Sequence, residues 1–155
     1  MLDEPWYQNA LALATTLHAG QLDKAGQPYI EHLKRVAHIL VEQFPNATPT
    51  EVQAALLHDS LEDTEATPES LTLSGIAPEV IAVVQHLTRT DKRPYLTWIE
   101  QLAATGDVGV LRVKLADNLH NSDPRREHPK REQMMRTKYE PAQEILRRAL
   151  ANAKP

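Results

Sequence analysis

Apolar residues recur at three- and four-residue steps along most of this chain, the spacing of helices that bury one face. From Trp6 to Leu17 they suit a single helix face, and "GQLDKAGQP" then breaks the pattern with Gly20, Gly26 and Pro28. Pro28 is suited to start a second helix, "PYIEHLKRVAHILVEQF", whose stripe is Ile30, Leu33, Ala37, Leu40, Val41 and Phe44. A third, "TPTEVQAALLHDSLED", has Thr48 or Thr50 as its cap and Val52, Leu56 and Leu57 on its apolar side. "TPES" starts a short helix, "APEVIAVVQHLTR" carries Pro78 in its first turn, and "RPYLTWIEQLAA" follows. After a break at Gly106 to Gly109 come "VLRVKLADNLHN" and a long charged amphipathic segment from Glu127 to Ala151. Only "LRVKL" is ambiguous, because Leu111, Val113 and Leu115 also alternate with period two. The pattern predicts an all-α bundle of roughly seven or more helices.

Composition narrows the class. A length of 155 residues, without an internal repeat or a dividing linker, predicts one domain over residues 1–155. With 41% hydrophobic and 25% charged residues the chain reads as soluble and globular rather than disordered. The acidic N-terminus "MLDEPWYQNALALATTLHAG" lacks a signal peptide's basic and apolar regions, and no apolar run approaches the roughly 20 residues of a membrane span. A cytoplasmic protein with no membrane partner is expected. The absence of cysteine excludes thiolate zinc sites, iron–sulfur clusters and cysteine nucleophiles, so any metal must sit on histidine and carboxylate. A net charge of −4 with 5% aromatics argues against nucleic acid as a partner. Neither GxGxxG nor GxxxxGK[ST] occurs, so no glycine loop cradles phosphate. A small anionic substrate remains compatible if cations gather locally. Nothing in the pattern specifies an oligomeric state.

One stretch departs from ordinary patterning. "LLHDSLEDT" sets His58, Asp59, Glu62 and Asp63 directly after two core leucines. On a continuous helix His58 and Glu62 are four apart, and Asp59 lies three from Glu62 and four from Asp63, so they share neighbouring faces. A single His–Asp pair would be a core histidine beside a solvated helix end. Acidic groups at a helix C-terminus oppose the macrodipole, however, and a bound cation would account for Glu62 and Asp63. Two other stretches add partners: His32 in "PYIEHL", on a face with Val36 and Ile39, and Asp117 in "KLADNLHN", on a face with His120 and Asn121. The ordered set H…HD…ED…D is more specific than any of its parts.

With "HAGQ…GQPYIEHLKRVAHIL…AALLHDSLEDT…KLADNLHN", about residues 6–121 of the chain resemble the HD-domain hydrolase half of RelA/SpoT homologues in its free-standing form, the small alarmone hydrolases, including the metazoan SpoT homologue type. The resemblance implies an all-helical fold and one divalent cation, usually manganese, on two histidines and two aspartates, here His32, His58, Asp59 and Asp117. Glu62 and Asp63 match the pair that the family uses for hydrolysis, and Asn121 matches a substrate contact. His18 matches a family histidine that is not a ligand and reads as structural. A mixed nitrogen and oxygen shell also accepts zinc or iron. The implied reaction removes the 3′-pyrophosphate of guanosine tetra- or pentaphosphate (ppGpp or pppGpp), the stringent-response alarmone, giving GDP or GTP and pyrophosphate. Glu62 is the expected group for orienting water. With no synthetase region in this sequence, only degradation is expected.

An anionic substrate requires cations at the pocket mouth. Lys24, matching a family lysine, is the first candidate and Lys114, one turn before Asp117, the second. Arg89, Lys92 and Arg93, and likewise Arg125, Arg126, Lys130 and Arg131, read as solvated surface charges. Departures from the family surround the nucleotide: an Arg-Lys pair is replaced by Asp23-Lys24, and "DRLHNMRTL" by "DNLHNSDPR", with Asn118, Ser122 and Pro124 in a segment expected near the base. These changes leave the adenosine alarmone (ppApp), NADPH or another phosphorylated nucleotide open as substrate. A nucleotide-binding sensor without turnover is the alternative of another class.

Overall fold

The computed structural model describes residues 2–126 and 129–153. It is all-helical: α1 (Pro5–Leu17), α2 (Tyr29–Gln43), α3 (Pro49–Leu57), α4 (Ser60–Asp63), α5 (Pro68–Leu73), α6 (Pro78–His86), α7 (Tyr95–Thr105), α8 (Val108–Asn121), α9 (Arg131–Met134), a π-turn (Met135–Tyr139) and α10 (Glu140–Asn152). Five of these helices carry a proline in the first turn, where a missing N–H costs nothing and the fixed φ favours entry. Of the two candidate caps, Thr48 is the one used: its hydroxyl accepts the Glu51 N–H at 3.2 Å and Glu51 accepts the Thr48 N–H at 3.3 Å. That reciprocal pair is a capping box. Gly106, at φ +67, ends α7 in the left-handed region that a side chain would resist.

Helix α3 is the centre of the bundle, packed by α1, α2, α6 and α8. Val52, Ala54, Ala55, Leu56 and Leu57 are consequently all inaccessible to solvent, as an interior helix requires. The same crowding resolves "LRVKL". Helix α8 lies against α2, α3 and α10, so Leu111, Val113 and Leu115 are all buried although they alternate in sequence. A helix covered on several sides need not show a single stripe.

Two element boundaries differ from the sequence reading. The predicted third helix is interrupted at His58 and Asp59, after which α4 supplies one short turn. His58 Nδ1–H donates to the Ala55 carbonyl at 2.7 Å, using an acceptor at a helix end where carbonyls lack onward partners. The charged amphipathic segment expected at the C-terminus divides into α9, the π-turn and α10, and its first residues, 127–128, lie outside the described residues. Among the described residues no helix is long and apolar enough to cross a membrane.

Candidate metal centre

Three backbone segments converge on one point. His32 comes from the first turn of α2, His58 and Asp59 from the break between α3 and α4, and Asp117 from the C-terminal half of α8. Ligand-capable atoms of His32, His58 and Asp59 lie within 4.8 Å of one another. Asp117 Oδ1 lies 3.0 Å from His32 Nε2 and 3.3 Å from His58 Nε2, and His58 Nε2 lies 3.2 Å from Asp59 Oδ2. Both imidazoles and Asp117 are buried, at 3–4% exposure, which separates them from surface charges. Burying three such groups together requires charge pairing or a cation.

Electrostatics within the cluster are strongly coupled. Burial opposes charge on His58, but the Asp59 and Asp117 carboxylates outweigh it and push the imidazolium pKa up to about 9. Burial likewise opposes ionisation of Asp117, yet Lys114 and His58 hold it well below the usual carboxylate range. Asp117 thus stays ionised beside the His58 imidazole, which attracts positive charge, and the two-histidine, two-carboxylate donor set fits a divalent cation. Because Nδ1–H of His58 is committed to Ala55 and Nε2 faces the acids, a cation that displaces the Nε2 proton would meet a lone pair already aimed at them.

Surrounding side chains orient the cluster. Tyr29 O–H donates to Asp59 Oδ2 at 2.5 Å. Lys114 Nζ donates to Asp117 Oδ2 at 2.8 Å and lies over Trp98, 5.0 Å from its centroid. Of the two expected substrate lysines, Lys24 is exposed on the cleft wall, whereas Lys114 is held against Asp117 and the aromatic rings. Asn121 Nδ2 lies 3.4 Å from Asp117 Oδ1, and its carbonyl accepts from Arg126 at 2.8 Å.

Glu62 and Asp63 follow on α4. Glu62 Oε1 accepts the backbone N–H of Arg89 at 2.7 Å, tying α4 to the segment after α6. Asp63 has a raised pKa, first through burial and then through the Asp59 and Glu62 charges. Its backbone carbonyl accepts from Gln21 Nε2 at 3.0 Å, while Gln21 Oε1 lies 2.9 Å from His18 Nδ1. His18 is therefore a buried support: the "HAGQ" stretch fixes the place of Asp63 through Gln21.

Beside the cluster opens a cleft of about 380 Å³ whose wall includes Lys24, Tyr29, Asn121, Arg126, Lys138 and Tyr139. A larger depression of about 550 Å³ along α10, between Glu140 and Arg148, shares no residue with the histidine cluster. Several cations around the site were not legible as such. Arg126, read as a solvated charge, is half-buried and reaches Asp23 Oδ2 at 3.2 Å and Asn121. Arg89, read likewise, packs over Trp98 at 5.3 Å and donates to the Arg93 carbonyl. Lys138 lies 4.6 Å from the Tyr95 centroid, and its pKa is lowered by burial and by Lys114 and Lys24. A hydrophobic pattern records no cation that arrives from a distant turn, so only proximity revealed them. Asn118 and Ser122, in the segment expected near the base, are both buried and accept from Gln143 Nε2 at 2.9 and 3.0 Å, joining α8 to α10.

The HD domain family matches residues 10–145, spanning every residue of the cluster. The chain belongs to the HD-domain family. This HD domain is 36% identical over 118 residues to the guanosine-3′,5′-bis(diphosphate) 3′-pyrophosphohydrolase of Haemophilus influenzae, covering 70% of this chain and 17% of that one. It is 34% identical over 126 residues to a GTP pyrophosphokinase of Myxococcus xanthus, covering 74% and 16%. A probable GTP pyrophosphokinase of Mycobacterium leprae is 37% identical over 126 residues, covering 74% and 15%. The chain thus spans about a sixth of the length of these curated relatives. Among solved structures, that of a metazoan ortholog of SpoT, described as hydrolysing ppGpp and acting in starvation responses, superposes with a TM-score of 0.77 at 23% identity. The match covers 99% of this chain and 90% of that one, and establishes the shared HD-domain fold.

Proposed function

We propose that this HD domain is a metal-dependent 3′-pyrophosphohydrolase of guanosine tetra- and pentaphosphate, working in the cytoplasm on the stringent-response alarmone. The observation that carries the reading is the convergence of His32, His58 and Asp59 with Asp117 beside a cleft walled by cations. The similarity to a Haemophilus protein named for that activity supplies the substrate class.

His32, His58, Asp59 and Asp117 would hold one divalent cation, with manganese proposed and zinc or iron compatible with the same donors. When bound, the ion supplies positive charge to the phosphoryl group and to the attacking water. The remaining chemistry falls to the chain. Glu62, fixed by the Arg89 N–H, orients the water with its carboxylate. Asp63, whose proton affinity is raised by burial and its acidic neighbours, is the group suited to carry a proton to the departing 3′ oxygen. Two carboxyl groups with separated environments divide these tasks. Lys24, Lys138 and Arg126 meet the polyphosphate at the cleft wall, and Asn121 contacts the nucleotide next to Asp117.

Base selectivity is expected to be broad. The cleft offers Leu22, Met134 and Tyr139 as apolar surfaces, which any purine face can cover. The adenosine alarmone is therefore a competing substrate. The deciding experiment is a panel of ppGpp, ppApp and NADPH with manganese, resolving nucleotide products from pyrophosphate and phosphate. Conversion of ppGpp to GDP and pyrophosphate is the expected result. Binding of all three without turnover would make the protein a sensor.

A further inference from the structure

His32 can present Nε2 to a cation only when its ring proton sits on Nδ1. Nε2 faces Asp117 Oδ1 at 3.0 Å, on the side shared with His58. Nδ1 lies 2.7 Å from His120 Nδ1. The ring centroids are 4.9 Å apart and the planes differ by 22°, so the centroids exceed the nitrogen separation by about two ring radii. The rings accordingly meet edge to edge and nearly coplanar, the alignment of an N–H···N hydrogen bond. One ring donates and the other accepts.

We propose that His120 is a positioning residue whose Nδ1 accepts the Nδ1–H of His32, fixing the tautomer that turns the Nε2 lone pair toward the cation. The inference rests on the metal site proposed above. Arg126 supplies the contrast. Its Nη1 lies 3.2 Å from His32 Nδ1 and 3.4 Å from His120 Nδ1, and a guanidinium only donates. Were Arg126 to bond His32 Nδ1, the His32 proton would move to Nε2 and bond Asp117, closing that nitrogen to the ion. With His120 as acceptor, the His32 proton takes the single Nδ1 lone pair of His120, and Arg126 Nη1 donates instead to Asn121 Oδ1 at 2.8 Å.

The two ligand histidines need different devices because of where they sit. His58 follows the last turn of α3 and takes the Ala55 carbonyl, an acceptor that a helix end leaves free. His32 sits in the first turn of α2, where carbonyls enter the helix ladder, so it must find an acceptor on another element. His120, in the last turn of α8, supplies it.

The test is manganese binding by calorimetry to the parent protein and to His120→Asn, His120→Leu and Asp117→Ala, with circular-dichroism melting to verify folding. Asparagine places an amide oxygen where Nδ1 was, and leucine removes the acceptor. H120L should weaken manganese binding about 10- to 100-fold, the cost of losing an outer-shell partner, while H120N stays within a few-fold of the parent. Equal affinity of H120L and the parent, or an equal loss in H120N and H120L, overturns the proposal. D117A separates the two levels: if it binds manganese like the parent, the metal site itself falls. Should H120L fail to fold, nitrogen-15 spectra of the zinc-loaded parent decide. Protonated Nδ1 on His32 supports the assignment, and protonated Nε2 overturns it.

Discussion

Arg126 Nη2 reaches the Asp23 carboxylate at 3.2 Å, joining the loop before α2 to the segment after α8. Asp23 also accepts the backbone N–H groups of Ala25 and Gln27, both at 2.9 Å. These donors and Arg126 outweigh burial and hold its pKa below the usual carboxylate range. An acid thus neutralises a cation on the wall of a cleft proposed to take polyanions. Asp23→Asn keeps an oxygen for the loop but removes the charge, so KM for ppGpp should fall by up to about fivefold, or ~1 kcal/mol. Asp23→Arg, which places like charges together and strips two backbone donors, should instead cost about 2 kcal/mol of stability. Steady-state kinetics and denaturant melts read the two effects separately.

Asp117 touches both imidazoles of the proposed metal site and is itself paired with Lys114. Asp117→Ala removes one proposed ligand and leaves a buried lysine without its carboxylate. Metal content per chain should drop to the background of a blank preparation, with activity lost in parallel, and the variant should melt at lower temperature. Metal analysis showing a full complement would exclude Asp117 from the shell.

How much could be read from the chain depends on what each residue answers to. The helices were legible because burial imposes a period on Leu33, Ala37 and Leu40 that no ligand disturbs. His58 and Asp59 stood out because titratable groups set directly after two core leucines have few structural explanations, whereas His32 and Asp117 were weak signals alone and joined them only through the family resemblance. The break at His58 was hidden: "LLHDSLED" is continuous as a helical pattern, and only a side chain's hydrogen bond to Ala55 marks its end. Arg126 and His120 were hidden for another reason. Their partners Asp23 and His32 lie roughly a hundred residues away in sequence, and spacing rules reach only one helical turn. The Asn118 partner was hidden in the same way, since Gln143 lies 25 residues further along the chain.

A stability prediction comes from the start of α3. Thr48 and Glu51 form the capping box, and Glu51 Oε1 also accepts from Arg112 Nη1 at 3.1 Å, linking the start of α3 to α8. Thr48→Ala removes the hydroxyl acceptor and should cost about 1 kcal/mol of stability. Because α3 is central, the loss should register as a shift of the whole cooperative melt rather than local fraying. Metal affinity should be unchanged, since His58 is at the opposite end of the helix.

Glu62 and Asp63 should separate in their effects. Glu62→Gln preserves shape and the hydrogen bond from Arg89, so metal and nucleotide binding should persist while kcat falls about 100-fold or more, the scale of positioned acid–base groups. Asp63→Asn should also lower kcat, but its defect should shrink with a substrate analogue whose leaving oxygen needs no proton. Single-turnover measurements at saturating nucleotide distinguish a lost chemical step from lost binding. Parent-like turnover in Glu62→Gln would remove Glu62 from the reaction.

The bond that breaks is the sharpest test of the proposed reaction. If Glu62 orients water toward the phosphorus attached to the 3′ oxygen, pyrophosphate leaves intact and the nucleotide product keeps its 5′ groups. Water enriched in oxygen-18 should place its label in pyrophosphate and leave GDP unlabelled, because the 3′ oxygen departs with the ribose. Label in a free monophosphate formed at the outset would mean attack on the terminal phosphorus and a different seating of the substrate. The same assay with ppApp reports on the base. With Leu22, Met134 and Tyr139 presenting surface rather than a directional hydrogen-bond pattern, ppApp and ppGpp should give kcat/KM values within about tenfold, less than ~1.4 kcal/mol of discrimination. A much larger preference for ppGpp would require a donor or acceptor reading the guanine edge, and would displace the apolar account of base binding while leaving the cleavage position intact.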